Sequence, residues 1–343
     1  MLVCYGEILM RLSPPERLRF AQAGQFDVRY GGAEANVACA YVQMGGKAKM
    51  VTVLPATGLG DAAVASVAGF GVDCSAILRK GDRIGIYFLE KGASYRPSKV
   101  IYDRKNSAIA KAVRADFDWE AILDGADDFF FTGITPAVSD PVVLLDALQI
   151  CRKKGIRVWC DVNYRATLWS TTKAGAVMTP MLSYVDVLVV NEEHARDLFG
   201  ITPGYGITKP EDRLASLGEQ LKKLFGCREV VLTARESISA DDNDIWALLY
   251  ADGKVSKSSQ YKLHIVDGVG GGDALSAALI YSESPDVENK VIDPADREMQ
   301  IDFACAANAL KHSIEGDICV ADAGEVKKTM EIARSGGRVR LVR

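Results

Sequence analysis

The chain has 343 residues, of which 48% are hydrophobic and 25% charged, and 41 Lys and Arg stand against 45 Asp and Glu for a formal net charge of −4. That length suits one large domain or two moderate ones and can bury a core without disulfide or metal staples. Slight acidity and the lack of a long basic run argue against nucleic acid or an anionic membrane as partner. No run reaches the roughly 18 apolar residues needed to span a bilayer. The opening LVCYGEIL is broken by Glu7 and lacks a basic leader or cleavage site, so no signal peptide is expected.

In chain order, Leu2–Tyr5 reads as a strand ended by Gly6. Glu34 to Gln43 suits a helix of small residues, stopped by Gly45-Gly46, and KMVTVL reads as the next strand. A helix is expected from Asp61 to Phe70. Between Arg83 and Arg104 the texture changes. IGIYFLE and KVIYDR are β-prone, and the Gly, Pro and Ser of GASYRPS favour a hairpin between them. Together with strands expected between Leu12 and Tyr30, they predict a small separate sheet.

Regular alternation follows. DDFFFTG, IRVWCDVN, VDVLVVN and EVVLTA are short apolar strands separated by helical patterns. This predicts an α/β fold with a mostly parallel sheet covered on both faces. Ligands bind such sheets at the carboxyl ends of the strands. Polar residues collect there: Thr132-Gly133, Asp161-Val162-Asn163, Asn191-Glu192-Glu193 and Thr233. Asp161 and Asn163 read equally well as loop caps or as site residues.

Eight cysteines are present, none at zinc or redox spacing, and the three histidines, His194, His264 and His312, are scattered. Reduced structural thiols in a cytoplasmic protein are expected, and a histidine-rich metal site is not.

The most informative segment is Asp267-Gly268-Val269-Gly270-Gly271-Gly272-Asp273, between an expected strand YKLHIV and an expected helix ALSAALIY. Glycines free the backbone to turn several N–H groups toward one point, and a helix start adds its own unpaired N–H groups. The result is an anion site. A carboxylate at Asp273 would repel a bound phosphate, so it makes better sense facing a second substrate's hydroxyl as proton acceptor. The competing reading is that Asp273 only caps the helix. A dinucleotide loop fails at its third glycine, where Asp273 stands, and no GxxxxGK[ST] occurs.

DGVGGGD resembles the D-x-x-G-A-G-D signature of ribokinase-like (PfkB) carbohydrate kinases, with Gly271 where alanine is usual. Tyr30 to Gly46, YGGAEANVACAYVQMGG, resembles that family's first signature. Gly31 to Ala38, Gly85 to Glu90, Tyr102 to Ala108 and Asp161 to Trp169 are similar to segments of 2-keto-3-deoxygluconate kinases. The resemblance implies a single ribokinase-like three-layer domain over residues 1–343, with a lid from about 11–33 and 83–105. It implies ATP and Mg2+, with a monovalent cation left open. Gly31, Gly32, Asn36, Tyr87, Tyr102, Arg104 and Arg165 would approach a sugar. Gly270, Gly271 and Gly272 would form the anion hole with Asp273 as base. Asn191, Thr233 and Asn308 would lie toward ATP. Arg104 and Arg165 suit the carboxylate of a sugar acid, because a guanidinium matches it bidentately. A neutral-sugar kinase and a non-catalytic sensor remain as alternatives.

Two features depart from the family. His194 stands where the N-x-x-E pattern has glutamate, so no metal ligand is assigned. TARESISADDNDIWALLY replaces a short turn, and its Asp241, Asp242 and Asp244 predict a solvated acidic loop, with a turn that borders the nucleotide as the other reading. The β-prone lid edges suggest a homodimer or higher homo-oligomer.

Overall fold

The computed structural model describes residues 1–336. Its strands are β1 (Leu2–Tyr5), β2 (Leu9–Ser13), β3 (Asp27–Gly31), β4 (Ala48–Leu54), β5 (Ile77–Arg79), β6 (Gly85–Glu90) and β7 (Lys99–Asp103). They continue with β8 (Asp128–Thr132), β9 (Arg157–Asp161), β10 (Val187–Asn191), β11 (Glu229–Ser237), β12 (Asp242–Ala251), β13 (Lys254–Lys257) and β14 (Tyr261–His264). The large sheet runs β13-β12-β11-β10-β9-β8-β1-β4-β5, with β14 paired to β12. From β5 to β11 every pairing is parallel. The small sheet runs β3-β2-β6-β7. This is the expected ribokinase-like arrangement of a mostly parallel sheet and a small β lid.

The apolar strands lack period-two alternation because both of their faces are covered. Successive side chains point to opposite sides. Thus Leu2 and Cys4 of β1, Phe130 of β8 and Val189 of β10 enter one core, while Val3, Tyr5, Phe129, Phe131 and Val190 enter the other. The first core is covered by helices Ala33–Gln43, Gly271–Glu283 and Arg297–Lys311; the second by Pro141–Lys154, Thr171–Leu182 and Pro210–Phe225. Helix Pro141–Lys154 shows how locally its limits are set. Asp140 caps Val142 N at 3.0 Å, proline opens the first turn, and Gly155 at φ 69° ends it.

Two expectations need correcting. YKLHIV is a strand only to His264, and that strand pairs antiparallel with β12 at the sheet edge. The acidic stretch is no solvated loop. β11 and β12 pair continuously from Glu229↔Ala251 to Ser237↔Asn243. The acids crowd the hairpin's tip and hid the strand pattern of Ile245 to Tyr250 behind them. That tip touches the loops that join strands of the small sheet. Arg17 pairs with Asp241, Ser94 N donates to Asp241 Oδ2 at 2.6 Å, and Ala240 N donates to Ser94 O at 2.8 Å.

All eight cysteines are unpaired, and all but Cys74 are buried. Among the described residues, no helix is long and apolar enough to cross a membrane.

Candidate active site

A cleft of about 800 Å³ opens between the carboxyl ends of the parallel strands and the small sheet. The strand register explains why the polar ends converge. Thr132 lies opposite Asp161, Asp161 opposite Val189, and Asn191 opposite Thr233. Gly32, Asn36, Tyr87, Tyr102, Arg104, Arg165, Asn191, Thr233, Gly270, Gly271, Gly272, Asp273 and Asn308 all line the cleft. Gly31 does not. It lies just behind, where an added Cβ would sit 2.8 Å from Asn36 Oδ1 and 2.9 Å from Asp317 Oδ2.

Helix Gly271–Glu283 is buried almost all round, between helices Ala33–Gln43 and Arg297–Lys311. Its small residues permit that close packing, and the packing fixes the direction of its N-terminus. Gly270 is the residue that opens it, in the left-handed conformation at φ 87°. Asp273 makes no cap. Asn36 Nδ2 donates to its Oδ2 at 2.7 Å, and Gly32 N donates to Asn36 Oδ1 at 3.3 Å. The GGAEAN segment therefore orients the carboxylate through one amide.

Asp273 is pushed up to about 7, chiefly by burial and further by Asp161 and Glu34, against the bond from Asn36 and the charge of Arg165. Asp161 is pushed up to about 6, again by burial first. Glu34 is raised by burial too, although its Oε1 accepts Thr132 N at 3.0 Å and the hydroxyls of Thr132 and Thr135 at 2.6 Å each. Arg165 is the positive charge among these acids. Among the described residues its hydrogen bonds run to backbone carbonyls alone, Asn163 O at 3.3 Å and Tyr164 O at 3.1 Å.

The second arginine is differently placed. Nε of Arg104 donates to Glu7 Oε2 at 2.8 Å and its Nη2 bonds the same oxygen, while Ser107 donates to Glu7 Oε1 at 2.7 Å. Its Cζ lies 5.1 Å from the Tyr102 ring, which packs 5.9 Å from Tyr87. Sequence reasoning assigned Arg104 but not Glu7 as its counter-ion. The signal was present: a lone glutamate interrupting an apolar run.

His194 does not line the cleft. Its ring packs edge-on against Tyr164 at 5.9 Å, and burial with Arg165 nearby pushes it down to about 4. Asn191 caps the following helix, accepting His194 N at 2.7 Å. Glu192 pairs with Arg213, and Glu193 lines the cleft. Among the described residues, no group of three or more His, Cys, Asp or Glu is placed to hold a metal.

The glycine at 271 also has a spatial reason. A Cβ there would come within 2.3 Å of His312 Cε1 and 2.6 Å of Asn308 Oδ1. His312, which sequence reasoning left unassigned, fills the space an alanine would need. It is held by Nδ1 to Asn308 O at 2.8 Å. Asn308 Oδ1 is buried with no hydrogen-bond partner among the described residues.

A helix start and three glycines set over a raised carboxylate, beside a row of polar strand ends, describe a site for phosphoryl transfer to a hydroxyl. The chain belongs to the pfkB family of carbohydrate kinases, whose model matches residues 1–311. It is 30% identical to a 2-dehydro-3-deoxygalactonokinase of Haloferax volcanii, over 98% of each chain. The crystal structure of a 2-dehydro-3-deoxygluconokinase from Thermotoga maritima is 46% identical, with a TM-score of 0.90 over 96% of this chain and 98% of that one. A sugar kinase from Pyrococcus horikoshii, solved in complex with ATP, shares the fold at 19% identity and a TM-score of 0.72, over 96% of this chain and 100% of that one.

Proposed function

We propose that this chain transfers the γ-phosphoryl group of ATP to a primary hydroxyl of a sugar acid, with 2-keto-3-deoxygluconate as its substrate. One observation carries the choice of an acid: Arg165 stands beside Asp273 with only backbone carbonyls for partners among the described residues. A substrate carboxylate supplies the bidentate partner that it lacks. The names of the Haloferax and Thermotoga relatives support the same substrate class.

In this reading Asp273 takes the hydroxyl proton as the sugar oxygen bonds to the γ-phosphorus and ADP leaves. A carboxylate near 7 is well matched to that task at neutral pH. N–H groups of Gly270, Gly271 and Gly272 face the charge on the transferring group. Gly32, Asn36, Tyr87, Tyr102, Arg104 and Arg165 surround the sugar under the lid, and Gly31 backs them. Asn191, Thr233 and Asn308 lie toward the nucleotide. Magnesium would be held by the ATP phosphates and water, which it commonly retains, with Glu193 lining the same cleft.

The lid also suggests self-association. β3 and β7 are its edge strands, and Val28, Val100 and Ile101 are exposed on them. A homodimer covering these edges follows, and eight unpaired cysteines support a cytoplasmic setting. The test of function is a coupled ADP-release screen with ATP and magnesium. It spans the gluconate and galactonate forms of the keto-deoxy acid, fructose and ribose. Turnover of the acids alone supports the reading, and turnover of neutral sugars alone sinks it. Replacing potassium with sodium in the same screen decides whether a monovalent cation participates.

A further inference from the structure

Arg11 has no place in the cleft lining, yet it is the most completely enclosed arginine near the site. It sits in the middle of β2, 1% exposed, inside the apolar run LMRLS. Burying a guanidinium is costly unless every arm is met. Here three are. Nη2 donates to Asp267 Oδ2 at 2.6 Å, Nη1 to Asp317 Oδ1 at 2.6 Å and Nε to Ser13 Oγ at 2.8 Å.

Both carboxylates lead to the glycine loop. Asp267 opens that loop and accepts Val269 N at 3.2 Å and Gly316 N at 3.1 Å. Asp317 stands against Gly270 so closely that a Cβ on the glycine would come within 1.8 Å of Asp317 O. The other oxygen of Asp317 accepts the Tyr87 hydroxyl. Arg11 and Tyr87 are register partners in the small sheet, and Tyr87 is paired in turn with Tyr102. One fork thus joins three parts: the lid sheet, the start of the glycine loop, and the 316–317 segment that Gly270 packs on.

We propose that Arg11 is a positioning residue for phosphoryl transfer, holding the 267–273 loop in place from behind and tying it to the lid. It acts through Asp267 and Asp317 and touches neither substrate. The fork also sets one positive charge between two buried carboxylates that have no other salt-bridge partner among the described residues. The inference rests on the kinase reading for its kinetic consequence, while its structural consequence needs no substrate.

The test is Arg11→Lys, which keeps the charge but cannot span both carboxylates, together with Arg11→Ala. In Arg11→Lys, kcat should fall about 100-fold, the loss expected of a misplaced catalytic loop. KM for the sugar acid should stay within about threefold, because misalignment that spares substrate contacts appears in kcat. Adding guanidinium to Arg11→Ala should restore part of kcat, and methylammonium should not. Amide hydrogen exchange in unliganded Arg11→Lys should quicken at residues 268–272 and stay unchanged in helix Pro141–Lys154. If exchange at 268–272 matches wild type, the proposal fails whatever the substrate is. If kcat matches wild type, or the whole loss lies in sugar KM, it fails as well. A wild-type enzyme that turns over no sugar acid would instead count against the substrate reading, leaving exchange to decide on Arg11. Should Arg11→Ala not fold, Arg11→Lys carries both measurements.

Discussion

On the small-sheet side of the cleft, and behind its lining at Arg11, the acidic and basic side chains meet partners before any substrate arrives. Arg104 holds Glu7, Arg11 holds Asp267 and Asp317, and Tyr87 closes on Asp317. On the parallel-sheet side Asp273 and Asp161 accept only amide N–H groups, and they form no salt bridge with Arg165 among the described residues. Asp273 and Asp161 are both raised, Arg165 leans on carbonyls, and Asn308 Oδ1 has no partner among the described residues. A matched wall is preorganised and keeps its geometry when charge moves nearby. An unmatched wall is held in an unfavourable state by the rest of the fold, which is where reactive groups are kept at a cost in stability. In the proposed function, the small-sheet side therefore positions, and the parallel-sheet side reacts and recognises.

The largest effect should come from the unmatched wall. Asp273→Asn should lower kcat by about 10³-fold, within the range for a lost general base. Sugar binding by calorimetry should be largely retained. The same variant should be more stable than wild type at pH 8. The sign follows from linkage: the folded pKa of about 7 lies above the ordinary 3.8, so the ionised form opposes folding. That opposition is absent below about pH 4, grows between 4 and 7, and is full above 7. Thermal midpoints at pH 4 and pH 8 check it. An equal midpoint difference at both would show that Asp273 is not held out of its preferred state.

Next come the two arginines, where the comparison is most easily broken. Arg165→Met should raise KM for the sugar acid about 10- to 100-fold, the usual worth of a hydrogen bond to a charge. Its thermal midpoint should barely move. Arg104→Met should do the reverse to stability. It strands a buried Glu7, and breaking such a pair costs about 3–5 kcal/mol. If Arg165→Met proved the unstable one, the two walls would have been assigned the wrong way round.

A smaller effect is expected at Gly271→Ala. Its new methyl meets both the His312 ring and Asn308 Oδ1 and must shift those side chains or the start of the helix. A kcat loss of about tenfold is expected from a small displacement of the anion-binding N–H groups. Gly271→Ala combined with His312→Ala should recover part of it, because the second change removes the nearer obstruction and leaves only Asn308 Oδ1 to give way. A double variant no better than the single would exclude this pairing.

The same contrast explains what was legible in the sequence. The parallel strands were readable because burial on both faces writes a continuous apolar run, as in DFFFT and VLVV. The glycine loop was readable because its composition has few other uses. Asn36 was found through the GGAEAN segment, but the roles of Glu7, Arg11, Glu34 and Asp317 were not. Each is a buried charge whose meaning lies in a partner tens or hundreds of residues away: Glu7 with Arg104, Arg11 with Asp267 and Asp317. No local pattern encodes such a pairing. The hint is an ionisable residue inside an apolar run, as in LVCYGEIL and LMRLS. The β11–β12 hairpin was missed for a related reason. Its charges mark the tip that meets Arg17 and Ser94, and they read locally as solvent-facing.

The finest test uses pH. The acid limb of kcat/KM reports the base in the free enzyme, so activity should fall as pH drops through about 7. Asp161 raises Asp273 and Arg165 lowers it. Asp161→Asn should therefore move the limb to lower pH, and Arg165→Met should move it to higher pH, each by no more than about one unit. Arg104→Met should leave it in place, because Arg104 is already bound to Glu7 and is not among the charges acting on Asp273. Opposite shifts from the sheet-side pair, with none from the lid-side arginine, would place the tuning of the base on one wall alone. A shift from Arg104→Met as large as that from Arg165→Met would mean that the lid also sets the charge on the base.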